Sequence, residues 1–137
     1  LRSRNSDCVR VFFRIRKEIH RNRGQYLSRW NHVPRFKAGV HGGSVVSAQI
    51  GGLKREVVYS GDVLNTTARI RSLCGELSED LLMSQDLQQR MRVPPGLAVR
   101  TLEAVPLRGK ESDVGLVAIV IDDDLPNAHS HSFSSSE

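Results

Sequence analysis

The chain has 137 residues, 39% of them hydrophobic and 26% charged, with a net charge of +5 and a pI near 9.8. That length suits one domain around one moderate core, and the composition is that of a soluble globular protein. No run approaches the roughly 20 apolar residues of a membrane span, and no signal-peptide pattern opens the sequence. Cys8 and Cys74, far apart and outside any CxxC spacing, argue against a cysteine metal site and suit reduced thiols in a cytoplasmic setting.

From Asp7 to Trp30 the residues Val9, Phe12, Phe13, Ile19, Tyr26, Leu27 and Trp30 recur at three- and four-residue spacing. This predicts an amphipathic helix of about six turns whose aromatic face packs into a core. Asn5, Ser6 and Asp7 are candidate N-caps, and Asn31-His32-Val33-Pro34 ends the helix, because the residue before proline is pushed out of helical geometry. Residues 1–37 carry eleven Arg and Lys against Asp7 and Glu18, a net +9, leaving −4 for the rest. A basic third of this kind can meet nucleic acid or an anionic membrane surface. Because the arginines look spread around the helix, the expectation is instead a solvated face. The chain opens at Leu1 within helix-like sequence, which reads as part of a longer protein.

Phe36, Ala38 and Val40 alternate, His41-Gly42-Gly43-Ser44 turns, and residues 45–50 return, so a hairpin is expected here. His41, a lone histidine at a strand end, reads as structural. Gly51-Gly52 makes a second turn, residues 55–60 a third strand, and Ser60-Gly61-Asp62 leads into a helix from Asp62 to about Cys74, with Gly75 placed to stop it. A short buried strand follows at 80–84, then a short helix at 85–91 and a loop at Val93-Pro94-Pro95-Gly96. Strands at 97–107 and 115–121 flank Arg108-Gly109-Lys110-Glu111-Ser112. The last sixteen residues, 122–137, have almost nothing to bury and are expected to be a disordered tail, in which His129 and His131 are incidental. The order of helices and tight hairpins indicates an α+β fold with helices packed on one face of a sheet.

One stretch carries chemistry. The helix after Gly61 places Asn65 and Arg69 four residues apart and therefore on one face, with Val63, Ile70 and Cys74 on the other. A guanidinium offers a fixed fork of donors to phosphate, and an amide can orient a hydroxyl or ring oxygen. On spacing alone the readier explanation is an exposed polar pair on an ordinary amphipathic helix.

The ordered succession Gly39-Val40-His41-Gly42-Gly43, Ile50-Gly51, Lys54-Arg55-Glu56 and Gly61-Asp62-Val63-Leu64-Asn65-Thr66-Thr67-Ala68-Arg69-Ile70 resembles class III nucleotidyl cyclases, in particular the bacterial adenylate/guanylate cyclase catalytic domain. It covers roughly residues 35–121. The resemblance implies a ferredoxin-like antiparallel sheet with helices against it. Residues 1–121 would be the C-terminal portion of that domain, with 1–34 its basic helix and linker and 35–121 its sheet and active-site helix. The implied reaction is in-line attack of a ribose 3′-oxygen on the α-phosphorus of ATP or GTP, in a site shared by two subunits of a homodimer or complementary pair. Asn65 falls where the family orients the ribose, Arg69 where it stabilises the pentavalent phosphate, and Lys110 where it contacts the triphosphate. Val58, three residues before Gly61, stands at a purine-selecting position where the family commonly has Asp or Thr. Asp62 reads as a helix cap beside the substrate face.

The family's two metal aspartates, which would hold Mg²⁺ or Mn²⁺, and its purine-selecting lysine have no counterpart in this sequence; the resemblance puts them upstream. Asp7, Asp62 and Asp80 do not replace them. Membrane attachment, if any, would also come from upstream segments. Two alternatives stay open: a catalytically inactive cyclase-like regulatory or dimerisation module, and a basic nucleic-acid-binding domain, for which no recognised motif is present.

Overall fold

A computed structural model describes residues 6–54, 56–102, 104, 106 and 113–124. The amphipathic N-terminal stretch forms two helices instead of one, α1 (Asp7–Arg21) and α2 (Arg23–Trp30), divided at Asn22. Asn22 sits at φ −95°, ψ 13°, and its side-chain amide donates to the Glu18 carbonyl at 2.9 Å. A side chain that bonds its own backbone in this way competes with helix continuation. Asn31 closes α2 in the left-handed conformation at φ 53°.

Eight further elements follow in chain order: β1 (Ala38–Val40), β2 (Val46–Ile50), β3 (Glu56–Ser60), α3 (Asp62–Glu76), β4 (Leu81–Ser84), α4 (Gln85–Arg90), β5 (Leu97–Thr101) and β6 (Leu116–Ile121). A 3₁₀ turn at Asp122–Asp124 comes after β6. Four strands make one sheet in the order β1-β4-β6-β5, and β2 and β3 make a separate antiparallel ribbon. The pairs β4–β6 and β5–β6 are antiparallel, while β1 runs parallel to β4 with Ala38 opposite Leu81 and Val40 opposite Met83. The expected hairpin between β1 and β2 is therefore absent. Three alternating residues cannot say which strand they pair with, and the fully buried β4 satisfies β1 instead. The hairpin through Gly51-Gly52 is present, and Gly51 takes the positive φ of 116° that such turns ask of glycine.

Side chains of β4 and β6 alternate between two cores. Ile70, Leu73 and Cys74 of α3 pack with Leu82, Leu116 and Ala118 on one face. Val9 and Phe12 of α1 pack with Leu81, Met83, Val117 and Ile119 on the other. The α+β architecture stands as expected, but its helices cover both faces, not one. Alternation with both registers buried is what a central strand needs when each face has its own helix.

Only part of the N-terminal aromatic face is core. Phe12 stacks on Phe36 at 5.3 Å, yet Leu27 and Trp30 remain 49% and 63% exposed. The basic residues are also better ordered than their spread through the sequence suggests. Arg10, Arg14, Lys17 and Arg21, spaced four, three and four apart, are all exposed and lie opposite Val9 and Phe12.

Gly75 does not stop α3. The helix runs to Glu76 and closes with Ser78 at φ 55°, where Ser78 N–H donates to the Gly75 carbonyl and Glu79 N–H to the Cys74 carbonyl at 2.9 Å. This is the paired-bond helix ending that favours glycine at the left-handed position.

Candidate functional site

Helix α3 is anchored by Thr66, Ile70, Leu73 and Cys74, each at most 4% exposed. Burial of that stripe fixes the helix's rotation, and Asn65 and Arg69 consequently stand in solvent on another side. Neither side chain forms a hydrogen bond or ion pair among the described residues. A folded chain that leaves an amide and a guanidinium side by side and uncommitted has donors ready for an anionic, hydroxylated ligand.

The N-terminal end of α3 meets the loop that leaves β1. A β-carbon at Gly43 would lie 3.0 Å from a methyl of Val63, and one at Gly61 would lie 3.3 Å from the Ser44 carbonyl oxygen. Gly61 also needs its φ of +145° to turn from β3 into the helix. The glycines of the sequence motif thus bring two loops against the helix start. Asp62 does not cap α3, as the sequence suggested. Gly61 occupies the capping position, and Asp62 is the first helical residue, exposed, where a carboxylate complements the positive helix end.

Val58 lies on β3 opposite Ala48 and is 42% exposed. It belongs to the same strand–turn–helix unit as Asn65 and Arg69. Lys110 and the tail from 125 onward lie outside the described residues.

Two polar contacts near the core were not legible in the sequence. His41 Nδ1 lies 2.8 Å from the hydroxyl of buried Ser84, tying the ends of β1 and β4. Glu79, 8% exposed, pairs with Arg100 of β5. Each joins residues far apart in the chain, and only the parallel placement of β1 on β4 and the pairing of β5 with β6 reveal them. Burial pushes the Cys74 thiol pKa up, so it stays protonated inside the α3 core. Among the described residues no three His, Cys, Asp or Glu side chains converge as metal ligands.

No family profile matches the chain. It is 33% identical over 112 residues to adenylate cyclase 2 of Rhizobium meliloti strain 1021, a match covering 82% of this chain and 31% of that protein. The chain thus spans about a third of the length of the curated relative it matches. Among solved structures it is similar to a bacterial light-regulated adenylyl cyclase (20% identity, TM-score 0.47, 59% of this chain and 22% of that one). It is also similar to the guanylate cyclase domain of RhGC from Catenaria anguillulae in complex with GTP (17% identity, TM-score 0.47, 61% and 43%). Superpositions this loose carry no functional information. The sequence match is of another kind: it runs through most of a chain whose glycine turns and Asn/Arg helix face resemble the cyclase motif, and it supports a class III nucleotidyl cyclase domain.

Proposed function

We propose that this chain supplies the ribose- and phosphate-facing part of a site that converts ATP, or alternatively GTP, to its 3′,5′-cyclic nucleotide and pyrophosphate for intracellular signalling. The observation that carries the reading is the uncommitted Asn65/Arg69 pair on a helix whose other side is locked into a core. In the reaction a bond forms between the 3′-oxygen and the α-phosphorus as the bond to the bridging oxygen breaks. The hydroxyl proton goes to solvent and pyrophosphate leaves. Asn65 holds the ribose so that attack is in line, and Arg69 donates to the non-bridging oxygens as charge builds on them. Asp62 at the helix start and Lys110 in the turn before β6 are assigned to the substrate's polar groups. Val58 is assigned to the base, which it can touch but not hydrogen-bond.

The described residues do not fit a divalent metal, since no donor set converges there. No step is therefore routed through one, and Mg²⁺ or Mn²⁺ is assigned to carboxylates outside this sequence. A second subunit, identical or complementary, would bring its own metal half to the Asn65/Arg69 face. The domain would work in the cytoplasm, where nucleotides and reduced thiols are found. That no donor set converges among the described residues also favours a second reading, a cyclase-like module that pairs with or regulates an active subunit without turning over nucleotide itself.

The test is kinetic, in a complete protein carrying this segment. Arg69→Ala should lower kcat by about 10² to 10³ with little change in KM, the scale for removing one preorganised charge-stabilising donor. A loss of folding with normal turnover per folded molecule would make the residue structural. This chain by itself should give no metal-dependent cyclic nucleotide above a blank.

A further inference from the structure

The outer ridge of α1 has no place in the cyclase reading. Arg10, Arg14, Lys17 and Arg21 stand in one line about 16 Å long, opposite the buried Val9 and Phe12. The remaining arginine of this helix, Arg16, turns toward the sheet instead and lies 3.7 Å from Asp80, which also accepts from Arg35 at 2.7 Å. Arg16 and Arg35 thus share the Asp80 carboxylate, whereas most of the ridge has no acidic partner among the described residues. Of its four cations only Arg21 forms an ion pair among the described residues, to Glu18 at 3.1 Å. Beside the ridge Val11 and Ile15 are 51% and 38% exposed, on a helix flank that continues to Tyr26 and borders an open groove.

We infer that this face of α1 docks on the anionic surface of a lipid bilayer. Charge complementarity selects an anionic partner, because the ridge belongs to a segment of net +9. The flanking aliphatic side chains select lipid over nucleic acid. They gain by entering the boundary between headgroups and acyl chains, whereas a phosphate backbone offers them nothing. No helix among the described residues is long and apolar enough to cross a membrane, so α1 lies along the surface. The opposite side of α1 stays packed on the sheet, and docking leaves Asn65 and Arg69, on the helix of the other sheet face, open.

Sedimentation of the full chain with vesicles tests this. Binding is expected to vesicles of phosphatidylcholine with about a third phosphatidylserine, to fall with salt, and to be absent from pure phosphatidylcholine. Arg10→Glu/Arg14→Glu/Lys17→Glu should weaken it at least tenfold with unchanged circular dichroism. The charge-preserving Arg10→Lys/Arg14→Lys should keep it, as should Lys54→Glu/Arg71→Glu/Arg92→Glu, which removes the same charge elsewhere. Failure to bind the anionic vesicles, equal weakening by the two glutamate triples, or tighter binding to a DNA duplex than to the vesicles at the same salt would each overturn the assignment.

Discussion

Gly39 sits where α3 crosses β1, and the fold has left no room for a side chain there. A β-carbon would lie 2.6 Å from the backbone nitrogen of Arg71, an atom that cannot rotate away. Gly39→Ala should therefore destabilise the protein by about 1–3 kcal/mol, read as a lower denaturant midpoint with an unchanged slope. The two thiols give a second residue-level test. Cys8 is exposed and Cys74 buried with its pKa raised by desolvation, so an aromatic disulfide reagent should modify Cys8 promptly and Cys74 only on unfolding. At Val58 the expectation concerns selectivity. An apolar contact distinguishes bases by only about 10- to 200-fold, whereas a hydrogen-bonding site can reach about 10⁴ or more. Val58→Asp in a complete protein should move the ATP/GTP preference; if the preference stays, Val58 is not lining the base pocket.

Among the elements, α3 shows how a sequence signal can be read in the right place for the wrong reason. Gly75 looked like a stop, but it is helical, exposed and surrounded by open space, and the left-handed position belongs to Ser78. Gly75→Ala should accordingly stabilise the protein by about 0.5–1 kcal/mol, measurable as a raised midpoint. The start of α3, its buried stripe and the buried runs of β4 and β6 were legible because hydrophobic period and glycine position are local properties. The partner of β1 was not, since three residues of alternation carry no information about a strand forty residues away. The break at Asn22 was missed because a side chain bonding its own helix leaves the apolar spacing intact. Exposure of Leu27 and Trp30 was missed for the complementary reason: periodicity marks an apolar face but not what covers it. The candidate site was legible through Gly61, Asn65 and Arg69, whereas the His41–Ser84 contact needed the parallel strand pair. The β2–β3 ribbon, exposed on both faces, has no core of its own. Its amides should exchange with solvent roughly tenfold or more faster than those of β4 and β6.

For the molecule as a whole, the two cores divide the work. The α1 side carries the basic ridge and the α3 side carries the Asn65/Arg69 pair, so the proposed docking face and the proposed nucleotide-facing pair lie on opposite sides of one sheet. The central proposal is that the pair serves a site whose metal ligands come from a second subunit. Mixing two inactive complete proteins tests it most directly: one carrying Arg69→Ala, the other lacking its metal-binding carboxylates. If the site is shared between subunits, one of the two hybrid sites holds a full set of groups, and the mixture should recover cyclase activity that neither protein has alone. A mixture that stays inactive, while both proteins are folded and form mixed dimers, would contradict the account.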